Sequence, residues 1–216
     1  MSEEYKAVEK PSLFGMIFSP TEQFQRIKEK PIIWGAMFIV SILTAVGSYF
    51  MAMGIDTSQF EDIPGMDVFT QVTYGFIGLF IPIFSVLITS FIHWIIIKIL
   101  RSETTFKQLF SMNTYIMLIY ALGTLLNGIL TPLLDGDGKT MFTSLASIID
   151  AEGAVSGLFQ SLEVFAIWGS VILTAFGLHI VGNLSKRAAW IVSITIYVIS
   201  ALLLMIGAAI GTLAGV

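Results

Sequence analysis

Apolar residues fill five long stretches of the chain, at residues 31–53, 73–100, 109–134, 162–184 and 188–213, and polar residues collect in the connections between them. A helix rises 1.5 Å per residue, so about 20 apolar residues cross the ~30 Å hydrocarbon core of a bilayer. The pattern therefore predicts an all-α polytopic membrane protein with five transmembrane helices. Trp34 and Tyr49 stand near the two ends of the first stretch, where interfacial aromatics anchor spans. Pro82 falls inside the second and is expected to kink it, because its ring removes a backbone hydrogen bond.

Two polar stretches carry a weaker period. Residues 1–11 read as a charged tail. Residues 12–30 hold an apolar block and then Ser19-Pro20-Thr21-Glu22, the ingredients of a helix start. Phe24 and Ile27 fall on one face, opposite Gln25, Arg26, Lys28 and Glu29. This segment is predicted as an interfacial helix that lays Phe14, Phe18, Phe24 and Ile27 on the inner leaflet; a soluble linker helix is the alternative. In the connection at residues 135–160, Met141, Phe142, Leu145, Ile148 and Ile149 recur at helical spacing. They predict a second interfacial helix, or else a re-entrant dip.

Composition sharpens the class. The chain is 56% hydrophobic and 12% charged, against roughly 25% charged in soluble domains. Five crossings leave no stretch of ~50 residues for a soluble catalytic domain. With no cysteine, thiolate nucleophiles, disulfides and cysteine-held metals are excluded. The charged, Pro-interrupted N-terminus does not read as a cleavable signal peptide, so the first span is expected to direct insertion.

Charge placement gives the orientation. Lys6, Lys10, Arg26, Lys28, Lys30, Lys98, Arg101, Lys107, Lys186 and Arg187 all fall on one side of a five-span chain, and Lys139 alone on the other. The positive-inside rule then puts the N-terminus in the cytoplasm and the C-terminus outside. An even number of spans would place the Lys186-Arg187 turn on the wrong side.

Phe18-Ser-Pro-Thr-Glu-Gln-Phe24, Lys30-Pro31 at the first span, Thr105-Phe106-Lys-Gln-Leu-Phe110 at the third and Gly182-Asn-Leu-Ser-Lys-Arg187 between the last two spans follow one another along the chain. This order of features resembles the Yip family, the Ypt-interacting-protein group of small membrane proteins. The Asp-Leu-x-Gly-Pro and Tyr-Gly-Tyr motifs of eukaryotic members are absent, which points to the bacterial branch and argues against binding of small GTPases. The resemblance implies a bacterial cytoplasmic membrane protein with a non-enzymatic accessory or scaffold role. The openings Pro11-Ser-Leu-Phe-Gly15 and Ile33-Trp-Gly35 are similar to one bacterial group whose members serve as accessory partners of an ABC exporter that protects against a toxic peptide.

Few residues offer chemistry of their own. Counted from the neighbouring basic residues, His93, Asn113 and His179 should lie at similar depth and form a polar cluster. Such a cluster acts either as interhelical glue or as a proton- or ligand-binding site. Two histidines and an amide lack the ligands zinc ordinarily takes, so no metal and no cofactor is expected. Asp135-Gly136-Asp137-Gly138 resembles a calcium-loop start, but Lys139 and Met141 spoil the later positions, which leaves a turn. Glu163, at the mouth of the fourth span, reads as a solvated interfacial carboxylate. Gly207, Gly211 and Gly215 recur every four residues and form a packing face for a partner, a second copy or the bundle itself; Gly128, Gly169 and Gly177 add further small positions. No nucleotide loop or hydrolase motif is present, so enzymatic function and nucleic-acid binding are not expected. The rival reading is a small channel or transporter lined by His93, Asn113 and His179.

Overall fold

The structure, a computed structural model, describes residues 9–60 and 62–214. It is helical throughout its long elements: α1 (Leu13–Phe18), α2 (Pro20–Glu29), α3 (Trp34–Met51), α4 (Met66–Ile99), α5 (Phe106–Leu133), α6 (Gly153–Ser161), α7 (Val164–Ile180) and α8 (Lys186–Ala214). Among the described residues α3, α4, α5 and α8 are long and apolar enough to cross a membrane. At 1.5 Å per residue α7 reaches only about 25 Å. Connectivity nevertheless carries α7 from one end of the bundle to the other. It starts where the amide of Val164 donates to Thr143 O, and the turn after it is held by Ser102 and Thr104 through Gly182 O and Val181 O. A π-helical turn at Ile167–Leu173 shortens it further, with Thr174 Oγ1 donating to Gly169 O five residues back. Hydrophobic mismatch of this size is absorbed by tilt or local thinning.

Local chemistry sets the helix starts. The Thr105 side chain accepts from the Gln108 amide while the Gln108 side chain accepts from the Thr105 amide, a reciprocal cap that opens α5. At α2 the Ser19 side chain makes no cap, because it turns its hydroxyl back to Gly15 O; Pro20 still takes the first helical position. Pro82 is buried inside α4, which runs unbroken past it.

Helix α5 is the axis of the fold and buries Ser111 to Ile116 without a gap. Glycines let it approach its neighbours. A Cβ on Gly47 of α3 would lie 2.7 Å from Leu125 N and Thr124 O, and one on Gly128 of α5 would overlap the Gly47 backbone. On the other flank of α5, Gly169 of α7 lies beneath the Tyr120 ring and Gly177 faces Met112 and Phe24. Lipid supplies no hydrophobic drive between spans, so backbone-close contacts of this kind carry the association.

Two sequence expectations change here. The segment 12–30 is not one interfacial helix but two, and their faces differ. Phe24 and Ile27 are wholly buried against α5 and α7, whereas Phe14 is 78% and Phe18 84% exposed. A short amphipathic period looks the same whether lipid or protein covers it. The expected helix at Met141–Ile149 is also absent. Only Leu145–Ser147 makes a 3-10 turn, because Ser144 pairs with Glu163 as an isolated bridge and the backbone spends its hydrogen bonds there. The helix in this connection is α6, which packs on α8 where Gly157 meets Leu204. The Asp135–Gly138 segment is a turn, with Asp137 accepting from the amides of Lys139 and Thr140 at 2.8 and 2.7 Å.

Candidate functional site

Two concave regions hold the polar side chains. The first is an open groove of about 810 Å³ at the basic end, lined by Gln25, Lys28, Glu29, Gln108, His179 and Asn183, among others. Three separate segments of the chain meet on it: α2, the start of α5 and the end of α7 with the turn that follows. Gln108 Nε2 donates to Lys28 O at 2.7 Å, Lys28 Nζ donates to Asn183 Oδ1 at 2.5 Å, and Asn183 Nδ2 donates to Thr104 Oγ1 at 3.3 Å. Asn183 takes a positive φ of 53° to close the turn before α8, a conformation Asn tolerates better than most residues. His179 bonds Leu184 O through Nδ1 at 2.7 Å and so belongs to this turn.

The second region is a cleft of about 420 Å³ within the bundle. It exists because α4 packs on α3 and α5 while α8 packs on α6 and α7, so that α4 and α8 form opposite walls and α5 and α7 the floor. His93 and Asn113 line its basic-side half; Tyr120, Ser170, Tyr197 and Glu163 line the half toward the other end. The wall positions arise from helical spacing. Ser85, Thr89 and His93 recur every four residues on α4, and Tyr197, Ser200, Ala201 and Leu204 follow a 3-1-3 spacing on α8.

The expected three-residue cluster therefore divides. His93 and Asn113 share the cleft, but His179 lies one residue before the end of α7, in the groove. Depth counted back from Lys186 overstates its burial, because residues 181–185 form a turn rather than helix. Asn113 does act across helices, but its amide goes to Ser90 Oγ at 2.9 Å. Both His93 nitrogens are buried without a hydrogen-bond partner. Removing an unpaired buried polar group costs nothing in lost bonds, so His93→Leu should melt within about 1 kcal/mol of the parent or above it. Asn113→Leu should melt lower, since it strips Ser90 of its donor. Thermal unfolding of the two variants in detergent checks the contrast; a large loss in His93→Leu alone refutes it.

Glu163 was missed as a site residue, and its solvated reading is corrected by its burial. It is 5% exposed, accepts from Thr143 Oγ1 and from the Ala166 amide at 2.5 Å each, and caps the start of α7. The only local signal was its place immediately before an apolar run, where an N-cap acceptor belongs. Of the proposed glycine face, Gly207 is exposed and a Cβ there would meet nothing within 4 Å. Gly211 is half-buried on the same helix, and Gly215 lies outside the described residues.

These features define an all-helical integral membrane protein whose long apolar helices contact the bilayer directly. The Yip1 domain matches residues 14–208, nearly the whole chain, and the chain belongs to that family. It is 36% identical to the membrane protein YknW of Bacillus subtilis (strain 168), across 97% of this chain and 95% of that protein. No solved structure matches it.

Proposed function

We propose that the protein is a non-enzymatic accessory subunit that docks a helix face onto another membrane complex. The observation that carries the reading is the open face at Gly207 of α8. Small residues in spans are the usual sites of close helix approach, and the chain itself leaves this one unfilled. The family resemblance makes an ABC exporter the partner to test first, with a second copy of the chain as the competing occupant. The basic end, where Lys98, Lys107 and Lys186 gather, faces the cytoplasm in this reading.

The test is capture from mild detergent with the tagged full-length chain. Gly207→Leu has room within the chain, so it should fold and insert normally yet recover far less partner. Undiminished partner recovery in Gly207→Leu would count against the face. Orientation is checked separately with cysteines at exposed positions: Gln59→Cys and Ser147→Cys should react with an impermeant reagent in intact cells, and Ser185→Cys only after lysis. Reaction of Ser185→Cys in intact cells would invert the topology.

The cleft supports a second reading, a small transporter, because it places polar groups along the interior of the bundle. Solute flux in proteoliposomes made from partner-free protein would favour it over the accessory role.

A further inference from the structure

Glu163 is the one carboxylate in the wall of the cleft. The remaining lining has no Lys or Arg, and among the described residues the ion pairs are those of Arg26. Two hydrogen bonds hold the carboxylate in place, but Thr143 and Ala166 are neutral donors and leave its charge uncompensated. A buried charge without a counter-ion is costly, and more so beside hydrocarbon. The same end of the cleft carries Tyr120 and Tyr197, whose rings present negative faces that attract cations. Their hydroxyls are already engaged, Tyr120 with Ser170 and Tyr197 with Ser161 O at 2.8 Å, which fixes the rings.

Along the cleft from this acidic, aromatic end, Ile116, Met117 and Ile196 give apolar wall. At the far end stands His93, 1% exposed, with neither nitrogen used by the chain. The volume falls in the range of small-molecule sites, which are mostly apolar with a few convergent polar groups.

We infer that the cleft between α4 and α8 is a binding site for an organic ammonium compound with an apolar body, its cation held by Glu163 between Tyr120 and Tyr197. The ammonium supplies the countercharge that the fold omits. The apolar body lies along Ile116 and Met117 and reaches toward His93, which offers a donor and an acceptor to a second polar group. An anionic ligand is disfavoured by the same carboxylate. This site does not depend on the docking face at Gly207 and stands or falls apart from it.

The probes are 1-adamantanamine and 1-adamantanol, equal in shape and different in charge, titrated by calorimetry into the full-length protein in phosphatidylglycerol nanodiscs. The amine should bind about tenfold or more tighter than the alcohol, the size of effect that charge-assisted hydrogen bonding gives. In Glu163→Gln, which keeps an acceptor for Thr143, the two probes should bind alike. Ala201→Phe, which fills the cleft, should abolish binding of both. Phosphatidylethanolamine in the disc that weakens amine binding would assign the native ammonium to a lipid headgroup; no effect would assign it to a free amine, and both agree with the site. Equal affinity of amine and alcohol for the unmodified protein, or no binding of the amine, overturns the inference without any variant having to fold.

Discussion

Gly128→Leu is expected to prevent recovery of folded protein, and Gly128→Ala to lower its stability by roughly 1–3 kcal/mol, the cost of overpacking a fitted interior. The cause is geometric. A Cβ at Gly128 overlaps the carbonyl group and Cα of Gly47, and one at Gly47 meets the backbone of Thr124 and Leu125. No side chain stands at this crossing to rotate away, so α3 and α5 must separate. Their separation would also disturb the opposite loops, where Gly54 of the α3 end abuts Gly136 and Gly138 beyond α5. Gly35→Leu is the control: it sits on the exposed side of α3 with nothing within 4 Å of its Cβ. Thermal unfolding in detergent reads the difference. Equal melting of Gly128→Leu and Gly35→Leu would show that α3 and α5 do not cross at this point.

The same crossing shows what was readable in advance. Long apolar runs announce spans because the bilayer allows few other structures, so the all-helical membrane class follows from the sequence directly. Gly128, Gly169 and Gly177 are likewise recognisable as small positions, and each meets backbone, ring or side chain of a neighbour. Which neighbour is a matter of three-dimensional pairing that spacing does not encode. The length of α7 was harder, because the apolar Val181 and Leu184 follow on after the helix has ended. Hydropathy reports burial in lipid or protein alike, not hydrogen-bond pattern.

The candidate sites were less legible than the spans, for a related reason. His93 and Asn113 stand out as polar residues in apolar runs, and both do line the cleft. Glu163 did not stand out, since a carboxylate at a span end is ordinary; its burial depends on Thr143, twenty residues earlier. Tyr120 and Tyr197 carry no pattern at all until α5 and α8 are brought to one cavity. A site assembled from single residues of separate helices has no linear motif.

Phe24→Ala is expected to destabilise the protein by about 3–5 kcal/mol, as for other fully buried phenylalanines, while Phe14→Ala and Phe18→Ala stay within about 0.5 kcal/mol of the parent in detergent. The contrast follows from where each ring lies. Phe24 is fully buried among Met16, Ile27, Met112 and Leu178, and Gly177 makes room for its edge. It is the pin that fastens α2 across the basic ends of α5 and α7, and Gln108 and Asn183 then bond to Lys28 from that fixed position. Losing the ring should loosen α2 and open the groove above His179. Phe14 and Phe18 lie one helical turn apart on α1 and touch little of the chain. Their effect should appear in membranes instead, as weaker protection of α1 from protease in anionic vesicles than in the parent. Protease mapping alongside thermal unfolding separates the two roles. If Phe24→Ala melts like the parent while its own segment loses protection in vesicles, α2 lies on lipid and not on the bundle.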